Sequence, residues 1–248
     1  MNPDDEPLSR VERLLGHEAL ARLAGARVMV AGLGAVGSFA AEALARSGVG
    51  RLRIVDFDRV EPSNINRQLF ALRSTIGRPK AEIATERIHD IAPACHVDAF
   101  DVRIKDENVL SILSPRPDVV VDAIDSLCDK VSLICACLSH NIPVISSMGA
   151  ARRSDPTAVR AGVLDEVHGC PLAKNVRNGL RKAGMDVSAL RDGLRCVFSV
   201  EPVMTPDSRA EASGAAPRVM GSLVCVTGVF GLVAAREAIR RIVAGDPL

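Results

Sequence analysis

Tryptophan and tyrosine are absent from this 248-residue chain, and only six phenylalanines remain. Two common platforms for stacking nucleic-acid bases are therefore missing. Neither sign of charge is in excess: 31 basic side chains face 30 acidic ones, for a net charge of +1. No global field draws the protein onto a polyanion, so any RNA contact must come from a local patch. No Cys-x-x-Cys pair occurs among the seven cysteines, at positions 95, 128, 135, 137, 170, 196 and 225. An odd count with no signal peptide predicts reduced thiols and a cytoplasmic protein. The one close pair, Cys135-x-Cys137, lies in an apolar helical stretch where the two side chains diverge, so no structural zinc is expected. Long apolar runs are scarce too. The only one of note, Val219 to Ala235, holds about 17 uncharged residues and touches the lower limit for a membrane span. A buried helix in a large core explains it as well, and no stable membrane insertion is expected, with membrane association through 219–235 the minority alternative.

What remains is 48% apolar, enough for a substantial core. Ser9 with Glu12 forms a capping-box pattern that predicts a helix to about Leu23. Strands are then predicted at Val28–Gly32, Leu52–Asp56, His96–Ile104, Asp118–Ala123 and Pro143–Ser147. Helices are predicted between them at Ala35–Ser47, from Pro79 to Ile91, near Glu107–Leu113 and at Ser126–His140. This alternation predicts an α/β, Rossmann-like, mostly parallel sheet with helices on both faces. After Ser147 the rhythm changes. Strands at Ala158–Leu164 and Arg195–Val200, a helix at Pro171–Lys182, a loop at Thr205–Pro217 and a final helix from Gly221 to Val243 predict an extension by antiparallel strands. With no repeat and no linker, residues 1–248 read as a single domain, with a nucleotide-binding half of about 1–150 and a substrate-binding extension of about 151–248.

The chemistry concentrates between Gly32 and Lys80. Gly32-Leu33-Gly34-Ala35-Val36-Gly37 follows a strand and opens a helix, the placement in which a glycine turn cradles a phosphate at a helix N-terminus. Asp56 ends the next strand, where an acid meets ribose hydroxyls, unless it only caps the turn after it. Asp58 is placed beside it, as a site residue or as a cap that orients Arg67. Asn64, Asn66, Arg67 and Gln68 form a polar block, which a solvated turn also explains. Arg67 and Lys80 fit as clamps on phosphate oxygens, stabilising charge as pyrophosphate leaves. For Lys80 the competing expectation is a surface ion pair with Glu82 or Glu86. Asp125, after an apolar strand, is placed to hold Mg²⁺ against a triphosphate, or else Asp125 or Ser126 caps the next helix. A redox dinucleotide site needs no such arginine and lysine. The excess points to ATP cleavage.

From about Ser9 to Val203 the chain resembles the ubiquitin-activating-enzyme-like superfamily, the ThiF/MoeB adenylating fold. The resemblance rests on Asp56-x-Asp58-x-Val60-x-x-x-Asn64-x-x-Arg67-Gln68, followed by Lys80 and Asp125. It implies that Asp56 binds ribose, that Asn64, Arg67 and Lys80 bind the phosphates, and that Asp125 binds magnesium. Arg10 matches the arginine that in this superfamily enters the partner subunit's ATP site, which implies a homodimer. Within the superfamily the chain looks most like the tRNA threonylcarbamoyladenosine dehydratase group, through Ala40–Gly48, Arg67–Arg73, Asp165–Arg177 and Cys196–Glu201. That likeness implies adenylation of a carboxylate on tRNA carrying threonylcarbamoyladenosine, then ring closure with net loss of water. Other readings use the same residues: an adenylyltransferase activating the C-terminus of a ubiquitin-like sulfur carrier, with a sulfur-transfer partner, and a non-catalytic nucleotide-binding scaffold. Cys170 and Cys196 are the cysteines considered for a transfer role. A basic run from Arg152 to Arg195 is either a phosphate-tracking patch or a solvated face.

Overall fold

The structure is a computed structural model that describes residues 6–204 and 220–244. The strands are β1 (Arg27–Ala31), β2 (Arg51–Val55), β3 (His96–Phe100), β4 (Val119–Asp122), β5 (Val144–Ser147), β6 (Val159–Val163) and β7 (Leu194–Ser199). They form one seven-stranded sheet in the order β3-β2-β1-β4-β5-β7-β6. Every pairing is parallel except β6 with β7. The second half therefore extends the sheet with one parallel strand, β7, and one antiparallel strand at the edge, β6. The loop predicted at Thr205–Pro217 lies outside the described residues.

The apolar runs become the central strands because helices cover both faces. Every residue of β4 and of β5 is buried, whereas β3 at the opposite edge is only partly covered. One face packs against α3 (Gly37–Arg46), α4 (Lys80–Ile91) and α8 (Val224–Ala244), with Leu44, Ile88 and Phe230 fully buried there. The other face packs against α5 (Val109–Ile112), α6 (Leu127–Ser139) and α7 (Pro171–Lys182), with Leu133, Val176 and Leu180 inside.

The apolar run at Val219–Ala235 is explained by α8, which buries Val226, Phe230, Ala234 and Ala235 in this core; Val219 lies outside the described residues. Among the described residues no helix is long and apolar enough to cross a membrane. The buried carboxylate of Glu237 ties α8 to the sheet, 3.3 Å from Arg195 of β7 and 3.1 Å from Arg240.

The N-terminal helix differs from expectation. It is two helices, α1 (Ser9–Leu15) and α2 (His17–Gly25), broken at Gly16, whose φ of +90° is outside helical space. The predicted capping box does not form. Leu8 occupies the N-cap, and the Glu12 carboxylate reaches forward to His17 Nδ1 at 2.6 Å. The α1–α2 pair packs at the C-terminal end of α3, where a Cβ on Gly48 would lie 3.0 Å from the side chains of both Leu8 and Leu20.

Candidate active site

Register places the site. Ala31 of β1 pairs with Val55 of β2 on one side and Asp122 of β4 on the other, so these strands end level with one another. The chain leaving β1 goes to β2 and later returns to β4. That reversal opens the crevice in which open α/β sheets bind ligands.

The glycine turn fills this crevice. Gly32 adopts a φ of +86°, donates its N–H to Val55 O at 2.8 Å, and leaves no room for a side chain: a Cβ would lie 2.8 Å from Ala123 O beyond β4. Gly37 faces the same restriction more severely, since its Cβ would lie 1.7 Å from Gly32 O. The helix that follows starts without a side-chain cap or an acidic residue in its first turn. Its positive end is thus left for an external anion.

Asp56 is 8% exposed and holds the turn itself. One carboxylate oxygen accepts the Leu33 N–H at 2.5 Å, the other the Asp58 N–H at 2.8 Å. Each oxygen keeps a lone pair for a ribose hydroxyl. Burial pushes the Asp56 carboxyl above its ordinary range, opposed chiefly by the charge of Lys80. Asp58 pairs with Lys80 Nζ at 2.8 Å rather than orienting Arg67. Lys80 is only 4% exposed, so the expected surface pair with Glu82 or Glu86 is not formed; Arg78 takes both of those carboxylates. An ammonium buried against one half-exposed aspartate is a cation positioned for something besides surface solubility.

The polar block is a docked turn rather than a solvated one. Asn64 and Gln68 are buried, and Asn64 O accepts the N–H groups of Arg67 and Gln68 at 3.1 and 2.9 Å. The Gln68 amide nitrogen lies 3.8 Å from the Cβ position of Gly34, directly against the glycine turn. Ser38 joins the two segments, donating to Gly34 O at 2.7 Å and accepting the Leu69 N–H at 3.1 Å. Arg67, half-buried, spends Nη1 on Ser63 O and Asn66 Oδ1 at 2.8 and 2.9 Å, leaving the rest of its fork for a ligand.

Asp125 is exposed in the loop after β4. Neither Asp125 nor Ser126 caps α6: Ser126 is at the N-cap position with no side-chain cap bond, and Asp125 makes no hydrogen bond to a described residue. The loop is anchored instead by Asp122, which accepts the Ile124 N–H at 3.1 Å. Beneath it lies a feature that sequence reasoning passed over. Asp122 and Lys130 are both fully buried and 2.6 Å apart, with Ser146 Oγ donating to the same carboxylate oxygen at 2.6 Å. The signal was present: Lys130 sits at helical spacing with the buried Leu133, Ile134 and Cys137, on the apolar face of α6.

The structure therefore joins Gly32, Gly34, Gly37, Asp56, Asp58, Asn64, Gln68 and Lys80 through direct contacts, with Arg67 and Asp125 at the margin of the same crevice. It does not join Arg10, which lies on α1 at the opposite end of α3. Cys170 and Cys196 are both buried. Burial pushes the Cys196 thiol up to about 12, which leaves it protonated and inert. Cys170 Sγ accepts the N–H groups of Gly149 at 3.3 Å and Ala173 at 3.5 Å, as the N-cap of α7.

The chain is similar to known proteins. The chain is 45% identical over 205 residues to a tRNA threonylcarbamoyladenosine dehydratase of Bacillus subtilis, covering 82% of this chain and 79% of that protein. It is 37% identical over 248 residues to the enzyme of that name from Escherichia coli, covering 94% and 91%. The crystal structure of E. coli tRNA N6-threonylcarbamoyladenosine dehydratase in complex with ATP superposes with a TM-score of 0.89 at 35% identity, covering 99% of this chain and 97% of that one. Residues 8–247 match the model of the ThiF family, and the chain belongs to that family.

Proposed function

We propose that the protein is an ATP-dependent dehydratase of threonylcarbamoyladenosine in tRNA, acting in the cytoplasm through a carboxyl-adenylate. The observation that carries this reading is the likeness, over nearly the whole of both chains, to dehydratases of that name, one of them holding ATP. Asp56 receives the ribose of ATP, and the glycine turn at the N-terminus of α3 faces its phosphates. Lys80 and Arg67 stand over its phosphates. The carboxylate of the modified adenosine attacks the α-phosphorus, and the bond to pyrophosphate breaks as negative charge grows on the bridging oxygen. Preorganised cations favour that step because their positions are fixed before the charge develops. A nucleophile within the same modification then attacks the acyl carbon and AMP departs. The balance is loss of one water from the tRNA, with ATP divided into AMP and pyrophosphate. AMP is needed because hydroxide is a poor leaving group from a carboxylate.

Mg²⁺ fits this site. The exposed Asp125 carboxylate is an uncommitted oxygen donor at the strand ends, and a magnesium ion completes its shell from water and phosphates. Asp125 would hold it, and the ion would neutralise triphosphate charge. Nucleoside mass spectrometry of modified tRNA incubated with the protein and ATP tests the function: an adenosine lighter by one water is expected. Activation of a sulfur-carrier C-terminus with no change in the tRNA would replace this reading.

We propose further that two copies act together. In support, no residue of α1 is buried, Leu14 is 82% exposed, and Arg10 lies at the end of its own chain remote from the glycine turn. Arg10 then serves the site of the partner. Arg10→Ala is expected to lower AMP formation at least tenfold, about 1.4 kcal/mol of transition-state stabilisation. Mixing it with inactive Lys80→Ala chains should restore activity, since one site of the mixed dimer has both groups intact. Failure of the mixture to exceed its components would remove Arg10 from the partner's site.

A further inference from the structure

The basic run from Arg152 to Arg195 divides sharply once the side chains are located. Arg153 is 3% exposed and turns inward to Gly149 O at 3.3 Å. Arg160 bonds the carbonyls of Thr157 and Val159, Arg177 that of Val167, and Arg195 pairs with Glu237. These are structural cations. Lys174, Arg181 and Lys182 on α7, with Arg191 in the 3-10 turn that follows, are different. All are exposed, and none of their side chains makes a hydrogen bond or ion pair with a described residue.

Their arrangement is regular. The α7 sequence, PLAKNVRNGLRK, contains no acid, and Ala173, Val176 and Leu180 face the core. Lys174, Asn178 and Arg181 follow at spacings of four and three on the outer face, with Lys182 beside them, so the charges extend on the order of 10 Å along the helix. Some exposed cations elsewhere face carboxylates, as Arg46 does Glu42 at 2.8 Å and Arg103 does Asp129 at 2.7 Å, whereas those of α7 stand together with none. With a net charge of +1, the uncompensated charge on α7 is a local excess and no by-product of a basic protein. The helix begins at Cys170, whose sulfur meets Gly149 just beyond β5, at the strand ends that hold the candidate active site.

We propose that the outer face of α7, through Lys174, Arg181 and Lys182, is the track on which the tRNA phosphate backbone lies while its modified adenosine occupies the active site. This rests on the dehydratase reading. An RNA backbone fits better than an acidic protein, because the face is wholly polar and lacks the aromatic or apolar anchor that protein interfaces use. Phosphate contacts made this way position the substrate without reading its sequence.

The test is equilibrium binding of tRNA across a salt series, comparing wild type with Lys174→Glu/Arg181→Glu. A matched reversal, Arg46→Glu/Lys105→Glu, controls for net charge. The α7 variant is expected to bind roughly tenfold or more weakly near 0.1 M salt, and its slope of log affinity against log salt should flatten by about 1.5. With modified tRNA, KM should rise by the same factor at nearly unchanged kcat. Turnover of the free modified nucleoside should stay at the wild-type level. Wild-type affinity and slope in the α7 variant would overturn the proposal, as would an equal loss in the matched control. Lost binding of an acidic carrier protein with tRNA binding intact would also overturn it. Failure of the dehydratase reading looks different: wild type would bind RNA with full salt dependence yet remove no water from it.

Discussion

Lys80→Ala is expected to reduce AMP and pyrophosphate formation by about a thousandfold while the protein stays folded. The size follows from what the side chain can do. A fixed charge or donor aimed where negative charge develops is worth on the order of 10² to 10³ in rate, and Lys80 is buried, so its charge acts through a medium less screening than water. The fold should tolerate the loss, because Asp58, the partner left behind, has a side chain 49% exposed and can be rehydrated. Lys80→Arg should recover little: the planar fork cannot occupy the space of a compact ammonium held against Asp58. A second consequence concerns Asp56. Burial raises its carboxyl and the Lys80 charge opposes that rise. Without the charge the carboxyl protonates at still higher pH, so ATP binding by the variant should be lost earlier than in wild type as pH falls. Pyrophosphate exchange and ATP binding across pH check both statements. Activity within tenfold of wild type would exclude Lys80 from the chemistry and favour a nucleotide-binding scaffold.

Much of this site was legible because its determinants are local. The glycine turn is readable where β1 passes into α3, since the restrictions on Gly32 and Gly37 come from backbone within a few residues and from one neighbouring strand. Asp56, Arg67 and Lys80 stand at fixed distances along the chain from that turn, so their spacing carries information. Less was legible where position depends on segments far apart. The split between α1 and α2 turns on one glycine, Gly16, taking a φ of +90°, and nothing in the Ser9–Glu12 pattern registers it. The place of β7 between β5 and β6, parallel to one and antiparallel to the other, is set by pairings that an apolar run cannot express. The basic second half shows the same limit. Arg195 and Lys174 look alike in sequence, yet one meets Glu237 of α8 across the sheet and the other faces solvent.

Lys130→Met tests the largest structural term beneath the site. Lys130 Nζ contacts Asp122 at 2.6 Å, Ser147 O at 3.1 Å and Ser146 Oγ at 3.4 Å, so one ammonium joins α6, β4 and β5. Both ions are fully removed from solvent. Removing the cation leaves the Asp122 carboxylate with only Ser146 Oγ and the Ile124 N–H, and breaking a buried pair on one side costs about 3–5 kcal/mol. Because Asp122 also fixes the loop leading to Asp125, activity should fall with stability. Replacing both partners at once, Asp122→Leu with Lys130→Met, removes the stranded charge. That double variant should be more stable than Lys130→Met alone, while Asp125 remains poorly placed and turnover stays low. Urea unfolding with turnover measured on the same samples separates the two effects. If the double variant regained full activity along with stability, the pair would serve packing only. If Lys130→Met unfolded within about 1 kcal/mol of wild type, the interior beneath the loop would be wet enough to solvate a lone carboxylate, and the ion pair would not be what holds the Asp125 loop in place.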